Sequence, residues 1–421
     1  MKKTIFRCLG AAAVAFVLQF TTANVLAADW LSPCGEIACD PCDPVCGSKV
    51  GTKAGQWFLN GHLEAGFFAN SHGATSTYGG PGFDAGLHQA AHAEITRGAN
   101  GASGNTDRLQ NTRLTGGQVN QVYLSMGKAV DGRRGLDIGG TVDFTWGSDA
   151  YRVQTAGMEY AAGHGAPDNR WGKGDYFASF AQAYAEIAYD RWNIKAGKFY
   201  APFGSSPYKS TDNFFYSWAS TAYIAPTVGG GAYATYKVND KLAAVGGWVM
   251  PSEIGESSKN NAFLGGLIWT PGKRLNVVYA FAVGENTYGG NGLAPYDYFV
   301  HSLVTTTQLS DRLKYVFDWT YFQIRVENPG VENIFTYGLN NELIYQASSK
   351  WAFGTRFGIL NDPGNNDWYT VALGANWTPN KWLTVKPEVR YDWIGGATAK
   401  PFNSGNNTYQ TSGGLSAVVK F

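Results

Sequence analysis

The chain has 421 residues and sets 33 Lys and Arg against 32 Asp and Glu. That balance excludes the basic excess that a nucleic-acid-binding surface needs. Aromatic residues and charged residues each make up 15%, and there are 54 Gly. After the N-terminal segment no apolar run reaches the length of a membrane helix and no helical periodicity recurs. The chain is therefore expected to be all-β, as several soluble β-domains or as one large barrel.

Residues 1–27 pair a basic start, "MKKTIFR", with the apolar run "CLGAAAVAFVLQF" and end in "VLA" before Ala28. This is the pattern of a secretory signal peptide, and it is favoured over a lone membrane helix because the apolar core is short. Cleavage would remove Lys2, Lys3 and Arg7 but no acid, leaving a net charge of −2. Residues 28–55 contain "CGEIACDPCDPVC", with Cys34, Cys39, Cys42 and Cys46. Four thiols so close could hold a metal or form two disulfides in three pairings. An oxidising compartment favours disulfides, so the segment is expected to be a small periplasmic knot ahead of the barrel, without metal.

From residue 56 onward the pattern is alternation. Strands are expected at 56–69, 119–128, 135–147, 179–189, 192–200, 229–238, 241–250, 261–270, 273–285, 298–309, 312–324, 333–347, 350–361, 367–378, 381–394 and 410–421. The short connections are Asp190-Arg191, Asn239-Asp240, Pro271-Gly272, Ser310-Asp311, Ser348-Ser349 and Pro379-Asn380, all tolerant of tight turns. Long connections alternate with them throughout. Soluble sandwiches do not sort their loops by length, whereas outer-membrane barrels do, with an even strand count. The expected fold is a closed antiparallel transmembrane β-barrel of about 16 strands, residues 56–421.

The strand faces agree. In 312–324, Leu313, Tyr315, Phe317, Trp319 and Tyr321 share one face, with Lys314 and Asp318 on the other. Sixteen strands enclose a lumen too wide for side chains alone to fill, so apolar faces should meet lipid and charges a water-filled interior. Strand parity then assigns to the interior the acids Glu64, Asp137, Asp143, Glu186, Asp318, Glu342, Glu388 and Asp392 and the bases Lys195, Lys237, Lys314, Arg356, Lys386 and Arg390, joined by His62. Their near balance gives no ion preference. Lys198 falls on the apolar parity, where it would snorkel near the rim or be turned inward by a bulge at Gly197, and the bulge is favoured. Trp192, Trp269, Tyr315, Trp351, Trp377, Trp382 and Trp393 lie beside turns or strand ends, as girdle residues at the membrane interfaces do.

The connection 201–228, "APFGSSPYKSTDNFFYSWASTAYIAPTV", follows the fifth strand. By position and length it resembles the loop that folds into general porins and narrows their pore. Its candidate constriction residues are Lys209, Asp212, Phe214, Phe215, Tyr216, Trp218 and Tyr223. So many rings are not expected to stand in water. "WNIKAGKFYAPFG", "NFFYSWAS" and "APTVGGGAYATYKVND" resemble the β-barrel porin family BBP2, although Trp218 stands where that family usually has Arg. The resemblance implies a passive or weakly selective outer-membrane channel.

The expected function is thus an outer-membrane porin of a Gram-negative-type bacterium, passing ions and small polar solutes. A channel specific for a sugar or small anion, or an adhesive barrel without transport, are the alternatives. General porins imply a homotrimer in outer-membrane lipid. No nucleophile elbow, zincin motif or P-loop is present, so neither catalysis nor a cofactor is expected.

Overall fold

The computed structural model describes residues 56–71, 116–155, 157–159, 171–173, 176–224, 226–251, 260–286, 296–326, 333–361, 366–395 and 407–421. Residues 1–27 and 28–55, where a signal peptide and a cysteine knot are expected, lie outside these residues, as does most of the first long connection.

Sixteen long strands and one two-residue strand form a single sheet. In chain order they are β1 (Trp57–Asn70), β2 (Gly116–Lys128), β3 (Asp137–Gly147), β4 (Gly172–Lys173), β5 (Tyr176–Tyr189), β6 (Trp192–Tyr200), β7 (Val228–Asn239), β8 (Leu242–Pro251) and β9 (Asn260–Trp269). They continue as β10 (Leu275–Asn286), β11 (Tyr296–Ser310), β12 (Leu313–Val326), β13 (Ile334–Gln346), β14 (Trp351–Asn361), β15 (Asp367–Asn380), β16 (Leu383–Gly395) and β17 (Tyr409–Lys420). Each long strand pairs antiparallel with the next, and the two-residue β4 pairs antiparallel with the start of β5. The predicted strand ends fall within three residues of those observed.

The sheet closes on itself. β17 returns to β1 in a register running from His62 opposite Lys420 to Asn70 opposite Ser412. The seam is finished by Phe421, whose amide donates to Gly61 O at 3.0 Å and whose carbonyl accepts from Gly61 N at 2.9 Å. An open edge in hydrocarbon would leave a row of such groups without partners, which is why spanning sheets close.

Exposure separates the two faces. On the outer face Trp57, Phe67, Trp192, Trp248, Leu373 and Val389 are exposed, while inward neighbours such as Glu64, Asp143, Asp318 and Arg356 are buried. Rings collect at both ends of this outer wall. Trp192 packs on Tyr236 with centroids 4.6 Å apart and Trp351 on Trp377 at 6.1 Å near the short turns, and Tyr369 packs on Trp393 at 5.2 Å near the long connections. The short turns mark the periplasmic end in bacterial barrels.

The interior departs from a uniformly polar lumen in two ways. First, Gln182, Glu186 and most other inward polar groups are buried. Protein covers them, as described below. Second, toward the long-connection end the inner wall is apolar. Tyr298, Val300, Phe322 and Ile324 form one buried cluster with Leu264, Val249 and Trp368, and Ile224 and Phe203 of the connection after β6 pack into it. The connection brings its own apolar side chains inside, so the wall beside it can be apolar too.

The lipid-facing assignment predicts a depth dependence. Leu373→Arg, at the middle of β15, should lower the unfolding free energy of the refolded protein in lipid by about 2–4 kcal/mol, and Leu309→Arg, near the short-turn end of β11, by about 0–1 kcal/mol. Equal costs in urea titrations would refute the assigned face or depth.

Candidate functional site

The site is built on the connection of residues 201–227. β6 ends at Tyr200, whose hydroxyl lies 2.9 Å from that of Tyr123 on β2. The chain then turns inward at Gly204, where φ is +74°, a conformation that side-chain-bearing residues rarely adopt. Gly204 N donates to Ser302 Oγ at 3.0 Å, on the inner face of β11.

From there the connection crosses the interior and is hydrogen-bonded to the wall on several sides. Asp318 of β12 accepts from Ser205 N at 2.8 Å, Ser205 Oγ at 2.9 Å and Thr221 Oγ1 at 2.6 Å, so it pins both ends of the segment. Gln121 of β2 donates to Tyr208 O at 2.8 Å and accepts from Ser210 N at 3.1 Å. Lys386 of β16 donates to the carbonyls of Ser210 and Asn213, both at 2.5 Å. Ser217 is held between two strands: its amide donates to Glu388 Oε2 at 3.0 Å, its hydroxyl donates to Glu388 Oε1, and its carbonyl accepts from Arg356 Nη1 at 2.9 Å. Arg356 in turn pairs with Glu342 at 2.9 Å. Isolated buried charges are costly, and here each is paired or hydrogen-bonded.

The aromatic side chains of the segment rest on glycines of the inner wall. A Cβ on Gly66 of β1 would lie 2.5 Å from Tyr216 Oη, and one on Gly414 of β17 would lie 2.5 Å from its ring. Gly374 of β15 stands under Phe215 in the same way, Gly354 of β14 under Phe214, and Gly338 of β13 under Ile224. Phe215, Tyr216 and Trp218 are consequently buried. Phe214 meets Phe215 edge to face at 5.0 Å. Tyr223 ends the 3-10 turn Ser220–Tyr223.

A second connection braces the first from behind. The Arg152 guanidinium lies 4.0 Å over the Trp218 ring and donates to Ala222 O at 2.8 Å. Asp149 accepts from Gln121 at 3.0 Å. Burial holds the Asp149 carboxyl well above the ordinary carboxylate range, and nearby Glu64 adds to this while Gln121 and Arg152 oppose it. A carboxyl raised in this way favours the folded state in acid and loses that contribution as pH rises through its folded value. Glu159 forms a fully buried pair with Lys198 at 2.7 Å, next to Gly197 with its φ of +132°. Lys198 is thus kept off the lipid face, although the pairing of Tyr184 with Gly197 continues without a slip.

The remaining inward groups fall into local sets. His62 contacts Gln121 at 2.9 Å and stacks on Tyr123 at 5.0 Å. Glu64 accepts from Ser416 at 2.9 Å. Asp143 accepts from Tyr123 at 2.5 Å and Gln182 at 2.6 Å, with Lys209 3.7 Å away. Glu186 accepts from Asn193 at 2.8 Å, with Lys195 at 4.0 Å. Arg390 pairs with Asp392 at 2.8 Å, Asp137 with Lys128 at 2.5 Å and Lys237 with Asp240 at 2.8 Å. Asp212 accepts from Thr211 at 2.8 Å, and Lys314 is the second residue of β12. Among the described residues no His, Cys, Asp and Glu cluster that could hold a metal ion. Residue-by-residue parity did not reveal the glycine seats. Their signal was present, since Gly338, Gly354, Gly374 and Gly414 all share the parity of the inward charges.

The family BBP2, described as "Putative beta-barrel porin-2, OmpL-like", matches residues 91–421 of this sequence. No curated protein matches it. Among solved structures, the anion-selective porin from Comamonas acidovorans superposes with a TM-score of 0.55 at 9% identity, over 87% of this chain and 99% of that one. OmpT of Vibrio cholerae, folded in vitro and in its trimer form, gives a TM-score of 0.52 at 13% identity, over 88% of this chain and 100% of that one. At such identities the likeness is one of fold.

The Arg356 node should be separable from the barrel. Arg356→Gln strands the Glu342 carboxylate and removes a bond to Ser217, at a cost of about 3–5 kcal/mol. Amide exchange at residues 205–221 should accelerate by roughly two to three powers of ten while strand amides stay protected. Unchanged exchange at Ser217 would show that the node does not hold the segment.

Proposed function

This chain belongs to the BBP2 β-barrel porin family, and we propose that it forms an outer-membrane channel for passive diffusion of ions and small polar solutes, narrowed by the connection after β6. The observation that carries this reading is the attachment of that connection to widely separated parts of the inner wall, from Asp318 on β12 through Arg356 on β14 and Glu388 on β16 to Gln121 on β2. A segment anchored at so many points holds a fixed aperture. Assembly as a homotrimer is part of the proposal, in keeping with the fold shared with a protein solved in a trimer form. No catalytic role is proposed.

The sugar-specific alternative is weakened by burial. Phe215, Tyr216 and Trp218 are covered by the wall and by Arg152, which leaves their faces unavailable to a passing sugar ring. The non-conducting alternative draws support from the apolar packing of Phe203 and Ile224 against the inner wall.

Planar-bilayer recording decides among these. The purified folded protein is expected to give stepwise conductance, and deletion of residues 207–216 to give larger steps. Folded protein without conductance would establish the non-conducting barrel. Saturable block by one class of sugar would establish a specific channel. Unchanged steps after the deletion would remove the connection as the constriction.

A further inference from the structure

We infer that the channel prefers anions, and that the preference is set by lysines at its short-turn mouth, not by the inserted connection. The inference rests on the channel reading above and names the class of solute that the channel favours.

The inward charges are distributed unevenly with depth. At mid-wall they largely compensate one another. Arg356 pairs with Glu342, Arg390 with Asp392, and Lys209 approaches Asp143. Asp318 and Glu388 are occupied by hydroxyls and amides of the connection. Near the short turns the composition changes. Lys195, Lys237, Lys314, Lys386 and Lys420 lie on the inner parity of β6, β7, β12, β16 and β17, each within three residues of the short-turn end of its strand. The inward acids at that depth are Glu186, which lies near Lys195, and Asp137, which pairs with Lys128. Lys237 has the turn residue Asp240. The Lys386 ammonium is taken up by the inserted connection: it donates to two of its carbonyls and lies within electrostatic reach of Glu64, Asp212 and Glu388, so it belongs with the matched anchors.

The turns below reinforce this ring. The seven connections at this end, the six tight turns and residues 129–136 between β2 and β3, each carry at least one Lys or Arg, nine in total against four Asp. Away from this end the balance reverses, with twelve acids against seven bases among the remaining described residues. A mouth lined by one sign within a low-dielectric wall concentrates the opposite ion. Charges on the rim act over about 8 Å at physiological salt, which covers the entrance but not the mid-wall.

The test is the reversal potential of the whole protein in neutral phosphatidylcholine bilayers under a KCl gradient. The expected chloride-to-potassium permeability ratio is roughly three or more, which about half a kT of potential supplies by enriching chloride and depleting potassium alike. Raising the salt on both sides should shrink it. The triple variant Lys237→Glu, Lys314→Glu, Lys420→Glu should bring the ratio below one, while Arg325→Glu at the opposite rim should leave it as in wild type. A wild-type ratio at or below one, or a triple variant with the wild-type ratio, overturns the inference. If the triple variant does not insert, the wild-type sign and its salt dependence still decide. Absence of any conductance refutes the channel reading itself, and is distinguishable from a channel of the wrong selectivity.

Discussion

Backbone hydrogen bonding in hydrocarbon governs everything else in this molecule. Lipid offers no partner to an unpaired amide or carbonyl, so the sheet has to close. The seam from His62–Lys420 to Asn70–Ser412 meets that demand, with Phe421 completing it against Gly61. Once the sheet is closed, its period of two leaves each residue only two environments, hydrocarbon or interior. The exposed Trp, Leu and Val of the outer wall and the buried carboxylates of the inner wall are two consequences of one backbone requirement.

A closed barrel of this size encloses more space than wall side chains can fill. The connection after β6 occupies part of that space, and its attachment follows a simple physical logic. Polar side chains of the wall satisfy its backbone: Gln121, Lys386, Arg356 and Glu388 all bond main-chain groups of the segment. Glycines of the wall admit its rings: Gly66 and Gly414 leave room for Tyr216, and Gly374 for Phe215. Charged anchors fix where the segment runs, and absent side chains fix how closely it approaches. The brace formed by Arg152 on Trp218 adds a third contact, from a segment that is itself held through Asp149 and Gln121.

How much of this was legible follows from the range of each signal. The hairpin of β5 and β6 was readable because alternation and a turn at Asp190-Arg191 are local, and register then carries Ile187 opposite Ile194 and Glu186 opposite Lys195. Closure was readable from the alternation of loop lengths, a property of the whole chain. Lys198 was ambiguous because its partner, Glu159, belongs to another connection. The seat of the inserted segment was not readable at all. Ser217 meets Glu388 across 171 positions, and nothing near either residue announces the other. The apolar cluster around Phe322 and Val300 escaped for a related reason: parity assigns a face, but it does not say whether water or protein lies beyond it.

Depth is the coordinate that parity lacks. Counted without it, the inward charges of this barrel nearly cancel. Placed along the axis, they divide into a mid-wall zone, where Arg356, Glu342, Arg390 and Asp392 neutralise one another, and a short-turn mouth, where Lys314 and Lys420 stand above a rim with a cation in every turn. The two zones have different work to do. Charges that hold a buried segment must be matched, because an unmatched charge there would cost more than the segment's packing returns. Charges at a wet mouth carry no such penalty and can remain of one sign. A barrel with a fixed internal bridge is therefore free to vary its ionic preference only at its ends, and the excess of lysine at one end is what that freedom permits.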